Sequence, residues 1–431
     1  MYGGGKFTTQ NKKLPGAYMN FVSASKATST IGERGVAALA IECDWGVDNE
    51  IFTVTAEEFM KNSSKIFGYE YSNEKLKGIR DLFKNITKCH FYRLNSGVAA
   101  TNKYATAKYT GIRGNDIKIA IQKNIDNESK FDVITLLENK EVDKQTVAKV
   151  DELQDNDYVI FKKDATLEVT AGTPLTDGTN AESVTGEAHQ VFLDKVESYT
   201  FNALGCLSKE KAVIALYVAY TKRMRDEMGI KFQAVVYNNA ADHEGIINLK
   251  NRTVETETGL VYWVTGIIAG CAINKSNTNK VYDGEYEVEA NYTQSDLEAA
   301  IDNGEFTLHK VGDQYRVLVD INSLVTVEAE KGQEFKNNQT IRVIDQAALD
   351  IASVFNTKYI GNVPNNASGR VSLWNDIVSL YKDYETINAI EDFNSEEIVV
   401  EQGNDKKTVV VNGKIKPINA MEKLYMTIVV Q

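Results

Sequence analysis

The run Asp242-His243-Glu244 is the place in this 431-residue chain where residue types alone suggest acid–base chemistry. An imidazole between two carboxylates can relay protons. The run also follows an apolar stretch, residues 232–237, of the kind that leads into a site in α/β proteins. Adjacent residues do not share a face, however, and no nucleophile stands near, so the run reads as a solvated loop. The other histidines, His90, His189 and His309, are far apart and form no H-x-x-x-H or H-x-x-E-H pattern. His90 and His309 fall in strand-like stretches, which favours structural roles. Cys43, Cys89, Cys206 and Cys271 make no C-x-x-C pair and no zinc-finger spacing. Each lies in or beside an apolar run, as expected of a buried free thiol in a reducing compartment.

Phosphate and metal chemistry fare no better. There is no G-x-S-x-G elbow and no G-x-x-x-x-G-K-[ST] loop. Thr110-Gly111-Ile112-Arg113-Gly114-Asn115 resembles a phosphate loop but leads into strands, so it offers no helix N-terminus and reads as a turn. Gly266 and Gly270 form G-x-x-x-G in an apolar helix, which implies close packing against a sheet. Asp320, Asn322 and Glu328-Ala329-Glu330 lack the stepped oxygens and central glycine of a calcium loop and read as a solvated turn. The chain is therefore expected to have no catalytic residue, no cofactor and no metal.

The elements that would have to position a site are those of a multidomain α/β protein. Its apolar and charged fractions are ordinary for a globular chain. The net charge of −12 disfavours nucleic acid, whose phosphates need a basic face. The longest apolar stretch, 260–273, is too short to span a bilayer, which takes about 20 residues. Neither a leader peptide nor membrane insertion is expected, and the compartment expected for synthesis is the cytoplasm.

Residues 1–32 contain four lysines and no acid, and form a polar extended arm with one apolar patch, Leu14, Pro15, Gly16, Ala17, Tyr18, Met19, Asn20, Phe21 and Val22. Residues 33–94 read as the first part of an α/β core: a strand at 36–41, a capping box Thr55-Ala56-Glu57-Glu58, a helix at 73–85 and a strand at 89–94. Residues 95–182 switch to period-two alternation and read as an inserted all-β module that folds as a satellite. Residues 183–340 return to α/β, with a helix from Ser208 to Met228 stopped by Gly229, a buried helix at 260–273 and a capping box at Ser295-Asp296-Leu297-Glu298. Residues 341–431 form a C-terminal α+β domain with helices near 343–355 and 371–387. Three strands follow, at 398–401, 408–411 and 424–430. The last, Leu424, Tyr425, Met426, Thr427, Ile428, Val429 and Val430, is uncharged and β-prone, an aggregation hazard unless a partner covers it.

Ordered along the whole chain, several short segments resemble the contractile tail sheath proteins of phages and phage-derived particles, in the branch from Gram-positive hosts. They are Leu14-Pro15-Gly16-Ala17-Tyr18, Arg34-Gly35-Val36-Ala37, Trp45-Gly46, Gly111-Ile112-Arg113-Gly114-Asn115, and Val264-Thr265-Gly266-Ile267-Ile268-Ala269-Gly270. Then come Ser276-Asn277-Thr278, Asp320-Ile321-Asn322-Ser323-Leu324-Val325-Thr326, Tyr359-Ile360-Gly361-Asn362-Val363-Pro364-Asn365, Gly369-Arg370 and Ile418-Asn419-Ala420-Met421-Glu422-Lys423-Leu424-Tyr425. The resemblance implies a structural subunit stacked in hexameric rings, helically, around a tail tube protein, with baseplate and tail terminator proteins as further partners. It implies metastable storage of the extended state and triggered contraction that drives the tube through a cell envelope. It implies an outward-projecting β-module, and terminal arms that add strands to a neighbour's C-terminal sheet. Assembly would take place in the host cytoplasm, and the product would be a virion tail or a headless bacteriocin-like particle released by lysis. The residues alone agree, since an acid-free arm and an uncovered strand are both satisfied by strand addition between copies. Two rival readings remain at this level: an α/β enzyme with a regulatory β-module, and a self-assembling surface-layer protein.

Overall fold

Residues 36–41, VAALAI, are small and apolar on every side and form a strand buried on both faces, β1 (Val36–Ile41). Beside it in sequence stand β2 (Ile51–Thr55), α1 (Ala56–Phe67), α2 (Lys77–Phe83) and β3 (Lys88–Arg93). The Thr55–Glu58 capping box opens α1, and Gly68 closes it at φ 81°. In this computed structural model residues 32–329 and 331–430 are described. They fall into two compact units, one built from 32–349, 385–392 and 415–430, the other from 350–384 and 393–414. Residues 14–22, with the strand expected of them, lie outside the described residues.

The larger unit holds a doubly wound sheet. Its second half is supplied by α3 (Gly186–Val196), β10 (Ala203–Gly205), α4 (Lys211–Lys222), β11 (Gln233–Tyr237), β12 (Ile246–Leu249), α5 (Gly259–Gly270), α6 (Gln294–Asp302) and β13 (Glu305–Phe306). The strand order is β13-β12-β11-β10-β1-β3-β2, parallel throughout except for β2 against β3. Alternation divides the side chains between two cores. Leu39, Ile41, Phe91, Val235 and Leu249 pack with α1, α2 and α5, while Ala38, Ala40, Leu204 and Val236 pack with α3 and α4. A hairpin, β14 (Leu308–Val311) with β15 (Gln314–Val317), continues from β13.

Three expectations are corrected here. The second capping box is Thr293 with Asp296, two residues earlier than Ser295, because Thr293 is the residue with extended backbone at the helix start. The helix after Ser208 begins at Lys211 and loosens into a π turn over Arg223–Glu227 before Gly229. Gly266 and Gly270 face a helix end rather than the sheet: a Cβ on Gly266 would press on Leu82 O, and one on Gly270 would overlap Asn85 O.

The chain between β3 and α3 forms β4 (Ala105–Ala107), β5 (Ile117–Lys123), β6 (Phe131–Leu137), β7 (Lys140–Val147), β8 (Val159–Phe161) and β9 (Thr170–Pro174). They make a four-stranded antiparallel sheet, β7-β6-β5-β9, and a two-stranded one, β4-β8. In β9, Thr170, Thr173 and Pro174 pair with β5 across a register shift. Ile117, Ile119, Ile121, Val133 and Phe161 form the core, joined by Trp45 from the loop after β1.

The larger unit also contains the first residues of α7 (Asn338–Val354), which runs into a π turn at Phe355–Tyr359. In the smaller unit, α8 (Ala367–Thr386) packs Leu373, Ile377 and Val378 against Ile398 and Tyr359. It carries one hairpin, β16 (Val399–Gln402) with β17 (Val409–Asn412). Residues 424–430, expected to be a third strand, are not one in the single chain, since among the described residues no strand lies beside them to supply a ladder.

The close approach of α5 to the end of α2 predicts that Gly270→Ala lowers stability by about 1–3 kcal/mol, because backbone and not a flexible side chain occupies the space. Urea unfolding of the two proteins measures it.

Candidate assembly interface

The residues with functional chemistry are spent on stitching distant segments together. Asp320 and Arg342, both fully buried, form an ion pair at 2.6 Å. Asn338 Nδ2 donates to the other Asp320 oxygen at 2.9 Å, and Asn277 N donates to the carboxylate at 2.8 Å. Arg342 also donates to Lys275 O at 2.9 Å. The network continues through Gln233, whose amide donates to Asn338 Oδ1 at 2.9 Å and to Glu244 O at 3.0 Å. Nearby, Arg225 grips Asp345 with two bonds of 2.6 and 2.9 Å and donates to Phe232 O at 2.6 Å. Asp320 and Asn322 are thus fully buried, not a solvated turn. Sequence reasoning passed over Arg225, Arg342 and Asp345, because an amphipathic pattern assigns the polar faces of α7 and of the turn after α4 to solvent. The available signal was the Asp320-Ile321-Asn322-Ser323 segment, polar residues dense enough to need partners.

The Asp242-His243-Glu244 run is also corrected: His243 and Glu244 are buried. The exposed Asp242 sits at φ 48° and accepts from Val325 N at 2.7 Å, Thr326 N at 3.0 Å and Thr326 Oγ1 at 2.6 Å. His243 N donates to Ser323 Oγ, and Ser323 Oγ donates to His243 O at 3.0 Å. Asp226, His243 and Glu244 bring three ligand-type atoms within 4.8 Å of one another. The donor set is wrong for a cation, though. His243 Nδ1 accepts from Gly245 N at 3.0 Å, so the ring proton belongs on Nε2, pointing at Asp226 Oδ2 3.1 Å away. The Lys331 ammonium already lies 3.0 and 3.1 Å from the Glu244 oxygens.

The order of strands reverses between β1 and β10, the switch point where doubly wound folds bind nucleotides. A crevice of about 590 Å³ opens there, lined by Glu42, Glu255, Glu257 and Glu289 with Lys209 and Arg252. Lys209 pairs with Glu257 at 2.8 Å, and Arg252 with Glu289 at 2.7 Å. Four carboxylates repel phosphate, and the two cations are already neutralised.

Two further junctions use segments singled out from the sequence. Trp45 donates to Lys65 O at 3.0 Å and meets Tyr109 edge-on at 5.2 Å, inside the β-module core. Arg93, fully buried, reaches Asp48 at 3.1 Å, Thr110 O at 2.8 Å and Asn180 Oδ1 at 3.2 Å. Arg113 donates to Gly68 O at 2.7 Å and to Asp116 at 2.9 Å, and also pairs with Glu138. The Gly111–Asn115 stretch is therefore a clasp between module and core, not a simple turn. In the smaller unit, Asn365 Nδ2 donates to Lys406 O at 3.2 Å and Thr408 O at 2.8 Å, bracing the β16–β17 turn.

The last described residues behave differently. Pro417 bridges to Ile390, Ala420 N donates to Gln339 Oε1 at 3.0 Å, and Thr278 Oγ1 donates to Glu422 Oε1 at 2.7 Å. Beyond Glu422 the tethering stops. Leu424 is 84% exposed, Tyr425 89% and Val430 90%, with Met426, Ile428 and Val429 also exposed. Among the described residues nothing pairs with this stretch.

Phage tail sheath families match in series: the beta-sandwich domain at residues 95–180, the central domain at 182–323 and the C-terminal domain at 330–431. The Phage-like element PBSX protein XkdK of Bacillus subtilis is 31% identical over 99% of this chain and 99% of its own. The chain belongs to the phage tail sheath protein family. A crystal structure of a sheath tail protein from Desulfitobacterium hafniense is 35% identical and superposes with a TM-score of 0.83 over 95% of this chain and 99% of that one. The helical sheath of the anti-feeding prophage, in its contracted state, shares the fold at 10% identity, with a TM-score of 0.57 over 97% of this chain and 99% of that one. Among the described residues of this sheath protein, no helix is long and apolar enough to cross a membrane.

Two predictions follow from the buried groups of the sheath subunit. Arg342→Met leaves Asp320 buried and unpaired and costs about 3–5 kcal/mol, read as a lower denaturation midpoint. Burial holds His189 down to about 4, and holds His90 and His243 below the usual imidazole value. These groups stay neutral in the folded chain while the unfolded chain protonates near 6.5. The contribution of each is complete above pH 6.5 and is lost as pH falls below it, that of His189 down to about 4. Melting temperature should therefore drop between pH 7 and pH 4.5, less steeply in His189→Phe.

Proposed function

We propose that this chain is the repeating subunit of a contractile sheath. Hexameric rings of it stack helically around a tail tube protein, between baseplate and tail terminator proteins, and contract to drive the tube through a target envelope. Assembly takes place in the host cytoplasm, and the product is a virion tail or a tail-like particle released by lysis. No step of this needs catalysis: the crevice at the sheet's switch point is lined by carboxylates, and the Asp242-His243-Glu244 run fastens a loop.

One observation carries the reading. Residues 424–430 project their apolar side chains into solvent with no partner among the described residues, and there too β16–β17 is a two-stranded sheet with open outer edges. Two strands alone are marginal, and a third or fourth completes a stable sheet. Strand addition from one copy to the hairpin of another satisfies both. Leu424, Met426, Ile428 and Val430 would face one side, and Tyr425 and Val429 the other. Each large apolar side chain contributes about 1.5–3 kcal/mol when fully buried. Leu14, Pro15, Gly16, Tyr18, Met19, Phe21 and Val22 form the second donor, and the +4 arm is drawn to the acidic body of a neighbour. The domain plan is an arm at 1–32, a core at 33–94 and 183–340, an outward β-module at 95–182 and an acceptor domain at 341–431. A head-to-tail contact of this kind does not close on itself and so builds a helical filament.

Deleting 424–430 should give folded, soluble subunits that form no long tubes, scored by negative-stain microscopy. Met426→Pro or Ile428→Pro, whichever removes a ladder N–H, should do the same. Normal tubes from the deletion would contradict strand exchange.

A further inference from the structure

Five of the segments that carry the family resemblance, far apart in sequence, meet around the loop 271–280. Arg34 stands among the first described residues of the larger unit. Its Nε donates to Cys271 O at 2.9 Å and its Nη2 to Ile268 O at 3.0 Å. The guanidinium thus closes the C-terminal end of α5, where carbonyls lack intrahelical partners and the helix dipole is negative. The next two residues are pinned as well, since Gly35 N and Val36 N both donate to Asn202 Oδ1, at 3.0 and 3.1 Å. At the other end, Glu422 is held by Thr278 Oγ1 at 2.7 Å, and that same hydroxyl accepts from Asp320 N at 3.0 Å. The loop between is fixed on three sides. Asn277 N donates to Asp320, Lys275 O accepts from Arg342, and Asn274 Nδ2 donates to Ile387 O at 2.8 Å. Cys271 and Thr278 are seven positions apart, so the two attachment points are no more than about 25 Å apart, whatever path the loop takes.

We infer that the loop 271–280 is a common anchor plate for both terminal arms. This rests on the strand-exchange reading above. Tension entering at residue 34 crosses α5's C-terminal turn and the loop and leaves at Glu422. The path bypasses the β-module and the outer strands of the sheet. The covalent route between the same points runs through nearly the whole fold, so the non-covalent route is the shorter and takes load first. Arg34, Thr278 and Glu422 are positioning residues, which fix where each arm leaves the body. The face carrying this loop is accordingly the one that neighbouring copies meet. The buried Asp320–Arg342 pair is the bolt behind the plate.

The test uses full-length protein assembled into extended tubes and then triggered. Thr278→Val and Glu422→Ala remove the C-arm root at partly exposed positions, and Arg34→Gln removes the N-arm root, all leaving the strand-forming residues intact. Lys103→Gln, which breaks the exposed Lys103–Glu168 pair of the β-module, lies off the path. The expected result is that folded root variants either assemble poorly or break into short pieces on contraction, while Lys103→Gln contracts intact. Root variants that contract into tubes of wild-type length would overturn the anchor plate, as would equal fragmentation of Lys103→Gln. A 424–430 deletion that still forms normal tubes would instead remove the strand-exchange reading beneath it, so the two failures are distinguishable.

Discussion

The interaction on which the rest of this fold depends is the buried ion pair between Asp320 and Arg342. Desolvation offsets most of the attraction in such a pair, so its contribution is to geometry more than to net stability. Removing either partner strands a charge in the interior, and that penalty makes alternative packings unfavourable. The carboxylate is shared among Arg342, Asn338 and Asn277, and the guanidinium reaches on to Lys275 O. One side chain therefore fixes the start of α7, the loop after α5 and the segment after β15. The start of α7 in turn holds Ala420 through Gln339, and the loop after α5 holds Glu422 through Thr278.

The doubly wound sheet is used here as a scaffold. Its switch point, which in other proteins cradles a nucleotide, carries carboxylates held in ion pairs with Lys209 and Arg252. Polar residues that resemble catalytic or ligand-binding groups are consumed in cross-links: His243 with Ser323, Asp242 with residues 325–326, Arg93 and Arg113 across the module junction.

Elements with strong local signals were legible in the sequence. β1, the capping box at Thr55, the apolar helix α5 and the alternating strands β5 and β6 follow from pattern and capping chemistry alone. The family was legible too, through short segments in a fixed order. Short strands such as β10 (Ala203–Gly205) and β12 (Ile246–Leu249) were not, since three or four residues carry no period and are strands only because neighbours supply the ladder. The buried polar network was misread for a related reason. Periodicity assigns Asp320, Glu244 and Arg342 to solvent, and only the three-dimensional partner of each makes burial affordable. The G-x-x-x-G pair was read correctly as a close approach but matched to the wrong surface, because the sequence does not tell a sheet from a helix end.

Hydrogen exchange at the amides of residues 424–430 tests the central claim most directly, compared between the isolated subunit and the assembled tube. Strand exchange predicts rapid exchange in the isolated subunit, where no ladder exists, and strong protection at alternating amides in the tube, retained after contraction. Equal, rapid exchange in both states would contradict the account, because residues 424–430 would then bridge nothing.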